Sequence, residues 1–196
     1  CSKNGSCIIC DYGKTRKENL TKKDITKIMG EIFNSLDKMP NVILLNSLGS
    51  ILDTQEMPME NIMVLLEELS KINTKVIMFE THYLTINASI LEIIKQKLGN
   101  KKVVIELGLE SSNKEVRENC LNKYIDNEEF AKRVNLIKSF GFGAEANIIF
   151  GTPFLTTQEQ IRDTIQSIQW CFENSIEMVN LFPINIKPYT LLYKLY

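Results

Sequence analysis

Residues 76–109 read VIMFETHYLTINASILEIIKQKLGNKKVVIELGL. The stretch opens on a short apolar run at 76–79 and closes on another at 103–109, both partly β-branched and without helical period. Such runs predict strands buried on both faces. Between them Ile90, Leu91, Ile94 and Leu98 recur three and four residues apart, the spacing of an amphipathic helix. The unit is therefore strand, helix, strand. Working outward, runs at 42–45, 144–150 and 178–182 predict three more strands. Helical spacing recurs in Ile25, Ile28, Met29, Ile32, Phe33 and Leu36, then in Ile62, Leu65, Leu66 and Leu69. It returns in Phe130, Val134 and Ile137, and in Ile161, Ile165 and Ile168. Five strands alternating with helices predict a parallel α/β sheet with right-handed crossovers, either an open doubly wound sheet or a (β/α) barrel. No GxGxxG follows any strand, which argues against dinucleotide binding. In both architectures the chemistry belongs at the carboxyl ends of the strands.

The composition sets the outer limits. The 196 residues are 44% hydrophobic and 24% charged, an ordinary balance for a globular chain that buries its own core. Lys and Arg number 23 against 24 Asp and Glu, for a net charge of -1, so this segment alone is a poor clamp for nucleic-acid phosphates. The one basic cluster, Lys14, Arg16, Lys17, Lys22, Lys23 and Lys27, reads either as a solvated face or as a contact for nucleic-acid phosphates. No apolar run reaches the roughly 18 residues of a membrane span, and no leader resembling a signal peptide is present, so a cytoplasmic location without membrane contact is expected. The chain begins with Cys1 rather than Met, which is the expectation for a fragment of a longer protein.

Three of the five cysteines fall in the first ten positions, as Cys1-x5-Cys7-x2-Cys10. An odd count in a reducing compartment argues against disulfides. Three thiolates this close suit a soft metal or an iron–sulfur cluster. Structural zinc would need a fourth ligand, for which the sole histidine, His82, is the candidate. Unliganded thiols and a non-catalytic metal-binding module are the remaining readings. Cys120 and Cys171 sit singly in helical patterns and are expected to pack inward. The predicted strand ends carry Asn46-Ser47-Leu48-Gly49-Ser50, Glu80-Thr81-His82, Glu110-Ser111-Ser112, Gly151-Thr152-Pro153 and Asn185-Ile186-Lys187. Within the third predicted strand Glu106, Gly108 and Glu110 share one face by period two, and buried unpaired carboxylates are costly unless they line a ligand-filled interior.

The cysteine loop ahead of a (β/α) array resembles the radical S-adenosylmethionine (SAM) superfamily, whose usual spacing is Cys-x3-Cys-x2-Cys. Within it the chain is most similar to the radical subunit of archaeosine synthase, a relative of the elongator catalytic subunit. The matching stretches are Cys1-Ser2 through Gly5, Cys7, Cys10 and Tyr12-Gly13; 46–53 with Glu56 and Pro58; 107–110; Val116-Arg117 with Asn122-Lys123; 153–156; and 183–185 with Thr190. The resemblance implies a partial (β/α)6 TIM-like barrel forming one radical SAM core domain over 1–196, with its first strand upstream of Cys1.

It also implies the site. Cys1, Cys7 and Cys10 would hold a [4Fe–4S] cluster whose open iron binds SAM. Ser47, Gly49 and Ser50 stand at the glycine-rich turn that receives the methionine amino group, although Leu48-Gly49-Ser50 replaces Gly-Gly-Glu. Glu110 matches a polar residue facing SAM, Lys123 a cation near the methionine carboxylate, and Asn147 a ribose-binding acid. Ile9 and Tyr12 would approach the adenine. No residue is assigned a catalytic role beyond the cofactors. An electron donor such as flavodoxin or ferredoxin, a partner subunit and tRNA are the implied partners. The implied reaction cleaves a C–N bond in a lysine-modified 7-deazaguanine of tRNA, and a peptide or small metabolite is the alternative substrate. Departures cluster where substrate would lie. Glu80-Thr81-His82 replaces Glu-Ser-Arg, Gly151-Thr152-Pro153-Phe154-Leu155 replaces Lys-Pro-Pro-Phe-Leu, and Lys187 replaces a Gln, so Glu80, His82 and Lys187 are the candidate substrate contacts.

Overall fold

A computed structural model describes residues 7–10, 20–46 and 49–195. Cys1, Tyr12 and Ser47, named above as candidate ligands, lie outside these described residues, as does the stretch 14–17 of the basic cluster. The helices are α1 (Lys22–Asn34), α2 (Met59–Lys71), α3 (Ala88–Leu98), α4 (Asn127–Ser139), α5 (Thr157–Glu173) and α6 (Leu191–Leu195). The strands are β1 (Val42–Leu45), β2 (Val76–Thr81), β3 (Lys102–Glu110), β4 (Gly143–Phe150) and β5 (Met178–Pro183). All five strands pair in parallel in the order β1-β2-β3-β4-β5, and the sheet curls into a partial TIM-like barrel. Of the two architectures left open by the alternation, the barrel is the one formed. Among the described residues no helix is long and apolar enough to cross a membrane.

Each helix begins and ends on local chemistry. Thr21 caps α1 and Thr156 caps α5, each reciprocated by an acid three residues on, Asp24 and Glu159. Pro58 lies at the start of α2, and Gly99, at φ 59°, takes the left-handed turn that stops α3. The core lies between the sheet's outer face and the helices. Phe79, Ile105, Leu107, Ala144 and Ala146 from the strands meet Leu66 and Leu69 of α2, Ile90 and Ile94 of α3, and Phe130 and Val134 of α4.

Two expectations are corrected. Burial on both faces holds for β3 and most of β4, while β2 alternates buried with half-buried; among the described residues β1 and β5 each have a single neighbour, and Val42, Leu44, Met178 and Leu181 are exposed. In α5 the face expected to pack inward is turned out, with Ile161 and Ile165 exposed. The buried face is instead Asp163, Thr164, Ser167 and Cys171. The cause is polar pairing with the segment after β3: Ser111 Oγ donates to Asp163 Oδ1 (2.7 Å), and the Ser112 N–H donates to Ser167 Oγ (2.8 Å). With these bonds made, the buried Asp163 and Ser167 escape the penalty of unpaired polar groups.

Candidate functional site at the carboxyl ends of the strands

Cys7 and Cys10 flank a tight turn closed by the Cys10 N–H on the Cys7 carbonyl (3.1 Å). Backbone hydrogen bonds seat that turn at the barrel mouth. The Ile8 N–H donates to Leu121 O (3.0 Å), and the Leu192 N–H of α6 donates to Ile8 O (3.0 Å). Both thiols are free and half-buried, and Ile9 lies half-buried between them. Burial raises the Cys7 pKa, the Lys123 ammonium opposes that, and Glu110 and Cys10 reinforce it. Cys7, Cys10, Lys123 and Glu110 therefore form one electrostatic group. By contrast Cys120 and Cys171 are buried in helical segments, as expected, and burial pushes the Cys171 thiol up to about 12.

Lys123 reaches the group from the far end of an irregular loop. A single π-helical turn, Val116–Cys120, is followed by Asn122 at φ 53°, and the chain then doubles back under the mouth. The Lys123 ammonium donates to Glu110 Oε1 (2.7 Å) and to the Gly108 carbonyl (2.8 Å), largely shielded from solvent. Burial works against its charge, but Glu110 and Cys7 prevail and hold its pKa above the ordinary lysine value. A methyl group on Gly108 would stand 2.9 Å from Glu110 Oε1 and 3.0 Å from Lys123 Nζ, so the glycine makes the pair possible. Glu110 itself is at φ 70°, where the β3–β4 register slips. A non-glycine residue in this region costs about 1–3 kcal/mol and persists only where surrounding contacts fix it.

The Gly49-Ser50 turn after β1 is organised by a residue to which the sequence reading gave no role. The Ser50 N–H donates to Glu56 Oε2 (2.7 Å), and a Cβ at Gly49 would lie 2.0 Å from that oxygen. Glu56 thus brings a carboxylate to a turn that lacks the acid of Gly-Gly-Glu. The Ser50 hydroxyl is used internally, sharing a hydrogen bond with Thr81 Oγ1 (2.6 Å) and accepting the His82 N–H (2.9 Å).

His82 is held in the same network. Its Nδ1 accepts the Leu84 N–H (3.3 Å), and its ring lies 4.8 Å from that of Tyr83. Burial, then Lys123, lowers its pKa to about 4 from 6.5. The imidazole is expected to stay neutral across pH 5–7, with a midpoint near 4 in an NMR titration; a midpoint above 6 would contradict this placement. A base with a lowered folded pKa adds stability that is present above pH 6.5 and is lost as pH falls through about 4. Glu80, at the end of β2, shifts the other way. Burial, then Glu106 and Glu110, push its pKa up to about 7, against Lys123 and Lys187. Lys187 follows β5, close enough to act on Glu80.

Asn147 faces the same interior from β4, in register with Gly108 on β3 and Asn180 on β5. It is 5% exposed, and its Oδ1 has no hydrogen-bond partner among the described residues. The structure therefore brings Cys7, Cys10, Glu80, Glu110, Lys123 and Lys187 together, places Asn147 alongside, and ties Gly49, Ser50 and His82 to the adjoining strand ends. Among the described residues no three His, Cys, Asp or Glu side chains are placed to hold a metal, and zinc on His82 finds no support there.

Parallel strands, thiols on a mouth loop and polar strand ends define a recognisable architecture. Methylornithine synthase superposes with a TM-score of 0.70 at 17% identity, over 97% of this chain and 52% of that one. Coproporphyrinogen III oxidase of Escherichia coli, a radical SAM enzyme, superposes at 0.64 and 16% identity, over 97% of this chain and 43% of that one. The chain has the fold of the radical SAM enzymes. A methyltransferase of Kitasatospora setae, described as a radical SAM enzyme with a [4Fe–4S] cluster and cobalamin bound, matches at 0.56 and 11% identity, over 87% of this chain and 31% of that one. In sequence the chain is 28% identical over 192 residues to an uncharacterized protein of Methanocaldococcus jannaschii, covering 94% of this chain and 52% of that one. It is 25% identical over 170 residues to archaeosine synthase subunit beta of Methanosarcina acetivorans, covering 85% of this chain and 49% of that one. No model of a known protein family matches. The chain spans about half the length of the curated relatives it matches.

Proposed function

We propose that the chain is the catalytic barrel of a radical SAM enzyme, with Cys1, Cys7 and Cys10 as the ligands of a [4Fe–4S] cluster. The observation that carries the reading is the seating of Cys7 and Cys10 beside the Lys123–Glu110 pair at the mouth of a radical SAM-type barrel. The donor set fits the group. Thiolates are the ligands iron–sulfur clusters use, and the Lys123 ammonium partly offsets the burial that raises the Cys7 pKa. When bound, the cluster and SAM supply a 5′-deoxyadenosyl radical that takes a hydrogen atom from substrate. The chain's residues do the holding and aiming. Glu56 beside the Gly49-Ser50 turn offers an acceptor to the methionine amino group, and Lys123 offers its charge to the carboxylate. Glu110 Oε2 and Asn147 Oδ1, without partners among the described residues, are acceptors for ribose hydroxyls. Ile9, flanking Cys10, is the apolar neighbour for adenine. The barrel wall excludes water from this group and fixes one approach for the substrate.

The similarity to an archaeosine synthase subunit favours a tRNA base as substrate, specifically a lysine-modified 7-deazaguanine. Two aromatic side chains beyond the strand ends support a flat ligand. Phe154, after β4, is 65% exposed at φ 67°, and Tyr189, after β5, is 73% exposed at φ 72°. Exposed aromatics held in a costly backbone conformation suit stacking on a base.

Anaerobic reconstitution of the full-length protein tests the first claim. About four irons per chain and 5′-deoxyadenosine from SAM with dithionite are expected; tight zinc without SAM cleavage would overturn it. Incubation with tRNA carrying the deuterated modified base tests the second. Deuterium in 5′-deoxyadenosine is expected, and its absence removes the tRNA reading.

A further inference from the structure

His82 follows β2 as the cap of a short 3-10 turn, Tyr83–Thr85, and its backbone is fastened on both sides. Its N–H donates to Ser50 Oγ (2.9 Å), and its carbonyl accepts the Thr85 N–H (2.9 Å) and the Thr85 hydroxyl (2.7 Å). The ring is fixed as well. The Leu84 N–H donates to Nδ1 (3.3 Å), and the ring lies beside that of Tyr83, which is itself packed against the buried Phe130. A backbone N–H can only donate, so Nδ1 presents its lone pair and the neutral ring carries its proton on Nε2. That Nε2–H has no hydrogen-bond partner among the described residues.

Interstrand register sets the level of the ring. Glu80 is paired with Glu106 and Thr81 with Leu107, so the next step brings His82 level with Gly108. His82 keeps an extended backbone, φ -79° and ψ 137°, and alternation returns it to the interior face that Glu80 shares, opposite the core residue Phe79. The Gly108 carbonyl is the group that Lys123 Nζ bonds, one strand spacing of about 4.8 Å across. Burial first, and then Lys123, lowers the His82 pKa to about 4, so the ring is uncharged beside the ammonium. An ammonium has three N–H donors, and Glu110 and the Gly108 carbonyl take two of them. The third has no partner among the described residues.

Two unfilled donors therefore lie at one level of the mouth, one cationic and one held neutral. The group that fits both is a carboxylate, whose two oxygens accept one bond each and whose charge answers the ammonium. The adjoining turn narrows the choice. In an α-amino acid the amino group and the carboxylate hang on one carbon, so their subsites must touch. His82 joins the two: its N–H is bonded to Ser50, in the turn that Glu56 supplies with a carboxylate, and its ring shares the level of Lys123. We propose that His82 Nε2–H donates to the methionine carboxylate of SAM alongside Lys123, and that His82, Lys123 and Glu56 together clamp the amino-acid end of the cofactor. This rests on the reading that SAM binds at the mouth, and it moves His82 from the substrate to the cofactor.

Binding without reductant tests this, since SAM is then not cleaved. Full-length protein with its cluster reconstituted is titrated with SAM and with decarboxylated SAM, which keeps the sulfonium, the adenosine and the amine and lacks only the carboxylate. His82→Ala is expected to weaken SAM about tenfold, the loss of one hydrogen bond to a charged acceptor, and to leave decarboxylated SAM within about twofold. His82→Gln, whose side-chain amide reaches the place of Nε2, is expected to recover most of that loss, and His82→Asn, whose amide matches Nδ1, to recover none. In the wild-type protein, nitrogen NMR of the imidazole is expected to find the proton on Nε2, and its signal to shift further on adding SAM than on adding decarboxylated SAM. A proton on Nδ1, an equal loss for both ligands, or no loss in His82→Ala would overturn the proposal. Should His82→Ala fail to fold or to hold its cluster, the contrast of Gln with Asn and the wild-type NMR carry the same readouts. Wild-type protein that binds both ligands equally well overturns the carboxylate clamp and leaves the SAM reading standing. Wild-type protein that takes up about four irons and binds neither ligand overturns the SAM reading, and the clamp with it.

Discussion

Replacing Cys7 by alanine is expected to reduce 5′-deoxyadenosine formation to the rate seen without protein, and to drop bound iron well below about four per chain. The expectation follows from where the thiol sits. Cys7 and Cys10 are held on a turn whose backbone bonds to Leu121 and Leu192 fix it at the mouth, within the field of Lys123. On the proposed ligand set of Cys1, Cys7 and Cys10, the substitution would leave two sulfurs for a cluster that takes three from the protein. Cys171→Ala is the matched control. It removes the same functional group, but from a fully buried position in α5, away from the mouth, where burial pushes the thiol up to about 12. That variant should keep its iron and its absorbance at roughly 400 nm, the cluster band. A Cys7→Ala protein that retains both cluster and SAM cleavage would remove Cys7 from the ligand set. A loss shared equally by Cys171→Ala would show that the assay reports folding rather than ligation.

How far the sequence speaks for itself depends on which physical signal a residue carries. The five strands were legible because uninterrupted β-branched runs have few alternatives, and β1 begins and ends where its run does. The helices α2, α3 and α4 bury the leucines, isoleucines, Phe130 and Val134 that their spacing marks. Periodicity failed in α5, where the apolar stripe and the buried stripe differ. Hydropathy ranks Ile161 and Ile165 above Asp163 and Ser167, but cannot know that Ser111 and Ser112 wait across the interface. The barrel site was half legible. Lys123 follows a loop with no periodicity, and its inward course depends on a π-helical turn and on Asn122 in a left-handed conformation. The interior acids show the same limit from another side. Glu106 and Glu110 share a face by simple alternation, yet Glu80 and Glu145 come level with Glu106 only through interstrand register. The strings VIMFE, VVIE and GAE do end alike, and that shared acidic ending was the available signal.

Arg117→Ala is expected to cost about 3–5 kcal/mol of folding stability, a large part of what a domain of this kind has in total. Arg117 is 0% exposed. Its guanidinium donates to the Ser111 carbonyl, to the Ile125 carbonyl (2.8 Å) and to Asn127 Oδ1 (2.5 Å). Those acceptors belong to the two ends of the loop that delivers Lys123, and Asn127 also donates to the Ser112 carbonyl (2.9 Å). Burial lowers the Arg117 pKa, with Glu118 and Asp163 opposing, but an arginine stays charged and the five-donor fork can serve separated acceptors together. Alanine would leave three buried acceptors without donors and a cavity the size of the side chain, and unpaired acceptors alone cost about 1–3 kcal/mol each. Arg117→Lys keeps the charge on a shorter reach and cannot span both loop ends, so it should recover only a fraction of the loss. Urea denaturation followed by circular dichroism measures both, read as a fall in midpoint at unchanged slope. A shift worth less than about 1 kcal/mol for Arg117→Ala would mean that this loop is held by its backbone alone. A shift of the expected size identifies the buried arginine as the residue that fixes the path of the chain to Lys123, and so as the positioning residue of the mouth.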